Sequence, residues 1–257
     1  MSVLSCKQVD VRIAGIEVVS GLDMEIQPGQ FWGLLGPNGI GKTTLLKCLA
    51  GLDHPAAGRV MLESRDLNEL PRKLLARHIG MLQQHTVYVF DSSVLQTALT
   101  GRHPHLAYWE REGAADLDKA SQALAAVGLE GFAERSVTGL SGGEARRLAF
   151  AALLVQEPEI MLLDEPTNHL DLKHQVEIMG MIQKRIGDGA NSAFAALHDI
   201  NLAARYCSHV LMLFGEGSWC AGRSEEMLNE SSLERLYNCP VERLEGASGP
   251  RFHPAGA

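Results

Sequence analysis

With 257 residues and 31 acidic against 23 basic side chains, a net charge of −8, the chain has room for one large domain or for a core carrying a smaller inserted lobe. A composition of 46% hydrophobic and 21% charged residues supports an ordinary buried core and excludes a disordered chain. The acidic balance counts against nucleic acid held by general phosphate attraction, and the longest purely apolar run, residues 148–155, is 8 residues against the ~18 that a spanning helix needs.

The start, MSVLSCKQVD, has one Lys and no apolar stretch, so no signal peptide is expected. Residues 2–13 and Ile16–Ile26 read as two alternating, β-branched strands joined by a turn at Ala14-Gly15. Pro28-Gly29 breaks the chain before Phe31–Leu35, an apolar run with little alternation, as in a strand buried on both faces of a parallel sheet. A glycine-rich turn ends that run. Residues 42–50 then read as a helix with Gly51 just past its cap, and Ile79–Leu82 is a further apolar strand leading into Gln83-Gln84.

From about residue 85 to 155 the period becomes helical, in 93–100, 115–127 and 143–155, which reads as a helical lobe inserted into an α/β core. Strand 160–163, helix 172–186, strand 192–197, helix Ile200–Tyr206 and strand 210–213 follow. Such alternation predicts a mostly parallel sheet with crossover helices. The chain is therefore expected to be one domain over 1–241, with its core in about 1–84 and 156–241, its lobe in about 85–155, and a flexible tail over 242–257. Five cysteines without C-x-x-C spacing read as free thiols of a reducing compartment, and His103-Pro104-His105 reads as a polar loop.

Gly36, Pro37, Asn38, Gly39, Ile40, Gly41, Lys42 and Thr43 match G-x-x-x-x-G-K-[ST], placed between a buried strand and a helix as that motif requires. Glycines let successive N–H groups turn toward one anion, and the helix that opens at Lys42, Thr43 and Thr44 adds its dipole. Lys42 brings a point charge to the β/γ-phosphates, and the Thr43 hydroxyl is a ligand for Mg²⁺. This pattern predicts nucleoside-triphosphate binding. The apolar strand from Ile160 ends in Asp164, placed to hold the metal directly or through water, and in Glu165, placed to orient or deprotonate the attacking water.

Leu140-Ser141-Gly142-Gly143-Glu144, with Ser141 standing 24 residues before Glu165, resembles the signature motif of ATP-binding-cassette (ABC) ATPases. With the P-loop, Gln84, Asn168-His169-Leu170-Asp171 and His198, the order and spacing are similar to that family's from about Leu4 to Val241. The resemblance implies a P-loop NTPase core with a mostly parallel sheet, an N-terminal antiparallel β subdomain and an inserted α-helical subdomain. It implies ATP and Mg²⁺, with Gln84 sensing the metal and the γ-phosphate, and His198 contacting the γ-phosphate and the water. Ser141, Gly142 and Gly143 would face the nucleotide of another subunit, and Asp171 would lie at that seam, so a second copy of the chain is expected to complete each site. Relatives usually stack an aromatic ring on adenine near the second strand. Here Ile13 stands in that region beside Arg12, and no aromatic residue precedes Phe31.

Thr100-Gly101-Arg102-His103-Pro104-His105, Asn168-His169-Leu170-Asp171-Leu172 with His174-Gln175, and the stretch from Leu197 to Tyr206 resemble the branch that powers uptake of iron–siderophore, haem or cobalamin. That resemblance implies a peripheral subunit on the cytoplasmic face of a bacterial inner membrane, bound to a permease dimer and served indirectly by a periplasmic binding protein. The permease would rest near 85–102, where Val87, Tyr88, Val89, Phe90, Val94 and Leu95 cluster. A soluble cassette ATPase of cytosolic assembly, such as iron–sulfur cluster biogenesis, would carry the same motifs without a permease. A P-loop GTPase is excluded by the signature and by the absence of N-K-x-D.

Overall fold

The computed structural model describes residues 3–84, 86, 88, 90–246 and 249–256. The chain opens with β1 (Leu4–Ile13), β2 (Ile16–Ile26), β3 (Phe31–Leu35), α1 (Lys42–Leu49), β4 (Ala57–Leu62), β5 (Arg65–Asp66), α2 (Arg72–His78) and β6 (Ile79–Leu82). Three helices follow, α3 (Val94–Leu99), α4 (Ala114–Ala126) and α5 (Gly142–Gln156). The remainder is β7 (Ile160–Asp164), α6 (Leu172–Gly187), β8 (Ser192–Ala196), α7 (Ile200–Tyr206), β9 (His209–Gly215), β10 (Ser218–Arg223), α8 (Ser224–Met227), α9 (Glu230–Tyr237), β11 (Val241–Gly246) and β12 (Gly249–Pro254).

These elements form an α/β fold of two stacked sheets. An antiparallel sheet in the order β2-β1-β4-β5 covers one face of a six-stranded sheet in the order β10-β9-β3-β8-β7-β6, in which only β10 runs against its neighbour. The central strands are apolar throughout because both faces are covered. Trp32, Leu34, Ile160, Leu162 and Phe194 point to the core shared with the antiparallel sheet and α1, whereas Phe31, Leu35, Met161, Leu163 and Ala195 join the core under the helices.

Among the helices, the turn Thr100–Arg102 presses against α5 so closely that a Cβ on Gly101 would lie 2.2 Å from the Ala152 carbonyl oxygen, which only glycine permits. Arg102, 9% exposed, donates to the Val155 carbonyl at 3.1 Å and pairs with Asp116 of α4 at 2.8 Å and Glu157 at 3.0 Å. His105 sits 2.8 Å from the Gln156 carbonyl oxygen. The motif around residues 100–105 thus braces α3, α4 and the end of α5 to one another.

The expectation of a flexible tail is corrected. β11 and β12 pair from Val241↔Pro254 to Gly246↔Gly249, and Phe252 is 3% exposed in the core under the helices. Asn201 of α7 accepts from the Phe252 N–H at 2.8 Å and donates to its carbonyl at 3.2 Å. A single buried aromatic ring and one amide fork hold down a stretch whose Gly, Ala and Pro content reads as loose.

Candidate active site

β3, β8, β7 and β6 lie side by side and run the same way, so the segments leaving their C-terminal ends share one edge of the sheet. β3 feeds the glycine-rich turn, β6 leads to Gln84, β7 to Glu165 and β8 to His198. A cavity of about 560 Å³ opens at that edge, lined by Ile13, Asn38, Gly39, Gly41, Lys42, Thr43, Thr44, Gln84, Glu165, Asn168 and His198. Gly41 caps α1 with φ 106°, and a Cβ there would lie 2.5 Å from a Val18 methyl of β2, so glycine is required twice over. The N–H groups of a helix's first turn lack intrahelical partners, which suits the cavity's α1 edge to an anion.

Lys42 is 6% exposed and its Nζ donates to the carbonyls of Gly36 at 2.7 Å and Pro37 at 3.0 Å. Burial pushes its pKa down, opposed by the nearby carboxylates of Glu165 and Asp164. Neutral carbonyls are the ammonium's hydrogen-bond acceptors, so its charge remains available to an anion. Asp164, 1% exposed, accepts from the Thr43 hydroxyl through Oδ2 at 2.7 Å, while its Oδ1 is buried with no partner among the described residues. Burial raises its pKa, an effect opposed by the Thr43 hydroxyl and by Arg146 and Lys42 and reinforced by Glu165. An orphaned carboxylate oxygen beside a hydroxyl is a donor set suited to a hard divalent cation.

Glu165 takes a left-handed backbone, φ 51°. Its Oε1 lies 2.5 Å from His198 Nε2, and its Oε2 accepts from Asn168 Nδ2 at 2.8 Å. Burial works to raise its pKa, but the hydrogen bonds from His198, Gln84 and Asn168 outweigh it and hold the carboxyl below the ordinary glutamate value. The acid is therefore ionised, the state a general base needs.

Ser141 caps α5, accepting from the Glu144 N–H at 3.3 Å while the Glu144 carboxylate accepts from the Ser141 N–H at 2.7 Å. Gly143 lies against the His169 carbonyl, 3.5 Å from where a Cβ would stand. Asp171 caps α6 and accepts from His174. The backbone N–H of His174 is the main reason its carboxyl titrates below the usual range. Neither these residues nor Gly142 line the 560 Å³ cavity. One chain thus brings together the P-loop, Gln84, Asp164, Glu165 and His198, and leaves Ser141, Gly142, Gly143 and Asp171 on a separate surface.

Two contributors have roles that the motifs do not assign. Asn168 holds Glu165, and its spacing of three residues within a tight turn is the signal that points to it. Arg146, 5% exposed, donates to the backbone carbonyls of Gln83, Gln84, Asp164 and Glu165, and no local signal separates it from the neighbouring Arg147.

Residues 19–168 match the family model described as ABC transporter. The chain is 38% identical to the ferric enterobactin transport ATP-binding protein FepC of Escherichia coli (strain K12), covering 97% of this chain and 93% of that one. It is 37% identical to the hemin import ATP-binding protein HmuV of Pseudomonas aeruginosa, covering 98% of each. Among solved structures, a transporter assigned to the metal-chelate type, in an inward-facing conformation, shares the fold with a TM-score of 0.84 at 24% identity, over 98% of this chain and 96% of that one. The ATP-binding cassette MJ0796, solved as a dimer in a post-hydrolysis state with ADP and Pi, matches with a TM-score of 0.74 at 26% identity, over 86% of this chain and 98% of that one.

Proposed function

The chain belongs to the ABC transporter family, and from that premise we propose that it is the ATP-hydrolysing subunit of an importer for an iron chelate, haem or cobalamin. The observation that carries the ATPase reading is the convergence of Lys42, the Thr43–Asp164 pair and the Glu165–His198 pair on one cavity. The importer reading rests on full-length similarity to FepC and HmuV, which outweighs the alternative of a soluble cassette in cytosolic assembly. Copurification with a polytopic membrane protein tests it, and recovery with cytosolic proteins alone would sink it.

Lys42 and the first turn of α1 hold the β- and γ-phosphates of ATP. Thr43 and Asp164, with Gln84, would hold Mg²⁺, which when bound neutralises charge between those phosphates. Glu165 accepts the proton of the water whose oxygen bonds to the γ-phosphorus as the bond to the β-phosphate oxygen breaks, leaving ADP and phosphate. His198 and Asn168 keep the carboxylate aimed and ionised. Ser141, Gly142 and Gly143, set apart from this cavity, close the nucleotide of a second copy, with Asp171 at the seam. The dimeric state of MJ0796 supports that arrangement.

Ile13, 38% exposed, is the side chain nearest in kind to a base platform, and no Phe, Tyr or Trp is among the residues lining the cavity. Arg12 is engaged by Glu17 at 2.8 Å. Without about 1–3 kcal/mol of base–aromatic stacking, discrimination between ATP and GTP is expected to be weak. Competition binding measures it, and a strong preference for ATP would show that another residue reads the base.

The segment between the core and the helices is proposed as the permease seat. A hollow of about 330 Å³ there is lined by Met81, Leu82, Gln83, Thr86, Tyr88, Thr97, Thr100, Ala149 and Ala152. The sequence expectation is refined at several positions. Val94 is fully buried in the core, and Tyr88 is half-buried against it, its phenol pushed up to about 12 by burial. His85, Val87 and Val89 lie outside the described residues. Phe90 is 85% exposed. Phe90→Glu is therefore expected to leave folding and ATP binding intact and to abolish copurification with the permease; normal assembly would move the seat elsewhere. In this reading the chain sits peripherally on the cytoplasmic face of the inner membrane and meets a periplasmic binding protein only through the permease. Among the described residues no helix is long and apolar enough to cross a membrane.

A further inference from the structure

α5 carries two things. Its N-terminus presents Ser141, Gly142 and Gly143, and just past its first turn stands Arg146, 5% exposed. Nη1 donates to the carbonyls of Gln83 and, at 3.2 Å, Gln84, while Nη2 donates to those of Asp164 and, at 2.7 Å, Glu165. One planar fork therefore ties the signature helix to the segment after β6 and to the end of β7, the two segments that place Gln84 and Glu165. Glu165 is a non-glycine residue in the left-handed region, φ 51°, a conformation that persists only where its surroundings over-determine it. The Arg146 donation to the Glu165 carbonyl is part of that determination, together with the Asn168 N–H at 3.1 Å on the same oxygen and the Glu165 N–H on the Ala196 carbonyl at 3.2 Å. Arg146 also faces the Asp164 and Glu165 carboxylates electrostatically, although it touches neither carboxyl group.

We propose that Arg146 is a positioning residue that holds Gln84 and Glu165 in hydrolytic register with the signature helix, so that engagement of the partner copy's nucleotide by Ser141–Gly143 is passed to this subunit's own base. The inference rests on the two-copy reading proposed above. It does not involve the nucleotide directly, since Arg146 is absent from the cavity wall. Its geometry needs a fork: a lysine keeps the charge but offers a single nitrogen, and a glutamine keeps two donors at one nitrogen without charge.

The test compares wild type, Arg146→Gln and Arg146→Lys as full-length protein. Misplacing a base by about 1 Å costs on the order of 100-fold in rate. Arg146→Gln is accordingly expected to lose kcat on that scale, to keep its ATP half-saturation within about threefold, and to lose the cooperativity of wild-type ATP hydrolysis, with Arg146→Lys recovering part of the rate. A purely structural role would instead lower the melting temperature and ATP affinity together, and that result overturns the proposal, as does an Arg146→Gln enzyme with wild-type kcat and cooperativity. If Arg146→Gln does not fold, Arg146→Lys carries the same comparison, because it too lacks the fork. Sedimentation of Glu165→Gln protein with ATP separates the two readings. A monomer there refutes the two-copy arrangement and this proposal with it, whereas a dimer beside a fully active, cooperative Arg146→Gln enzyme refutes this proposal alone.

Discussion

Glu165→Gln protein is expected to bind ATP as wild type does and to lose turnover by about 10²–10⁴-fold, the usual contribution of a positioned general base. The amide keeps the side chain's shape but takes no proton. Its cost in structure is small, because the carboxylate's partners, His198, Asn168 and Gln84, can each reorient: the imidazole by changing tautomer, the two amides by flipping. ATP should then persist in a closed two-copy assembly that sediments as a dimer. Single-turnover hydrolysis and sedimentation in the same buffer measure both effects. Hydrolysis at the wild-type rate would remove Glu165 from the role of base.

Lys42→Ala should fail one step earlier. The ammonium is buried, sits on two loop carbonyls, and is the charge at the cavity's phosphate end. Losing a charge-assisted contact of about 1.5–3 kcal/mol weakens ATP binding roughly 10- to 100-fold. Hydrolysis falls further, by about 10²–10³ more, because the same group is preorganised for charge developing on the transferred phosphoryl. Titration calorimetry with ATP separates this from Glu165→Gln. An unchanged Kd would mean that the α1 N–H groups alone hold the phosphates.

The legible parts of this fold are those whose burial is uniform. β3 is read to the residue because all five of its residues are buried, and β7 to within one, since Asp164 is a polar end on an apolar run. α6 is read to within one residue from its apolar stripe of Ile178, Met179, Ile182 and Ile186. Elements that bury little leave no period. β4 shows three exposed positions before its first buried one and α2 buries only Leu75, so neither stands out from loop sequence. At the site, residues that act through motif side chains were visible, whereas Arg146 works through backbone carbonyls of segments 62 and 18 residues away, pairings that depend on the sheet order rather than on local spacing. The apolar cluster after Gln84 reads as one surface in the sequence, yet the fold splits it: Val94 turns inward and Phe90 outward.

The brace around Arg102 has a mechanical consequence. The 330 Å³ hollow has α3 on one wall and α5 on the other, through Thr97 and Ala149–Ala152, and the turn that ties them is stitched by Gly101's close approach and by Arg102's three acceptors. Two walls cross-linked in this way do not shear past each other under load. With the permease seated there as proposed, a push delivered into the hollow would swing the helices as a stiff lever rather than deform them. The far arm of that lever would be the N-terminal turn of α5, so its throw would depend on the rigidity of a turn at Gly101 and Arg102, more than 30 residues away in sequence from Ser141.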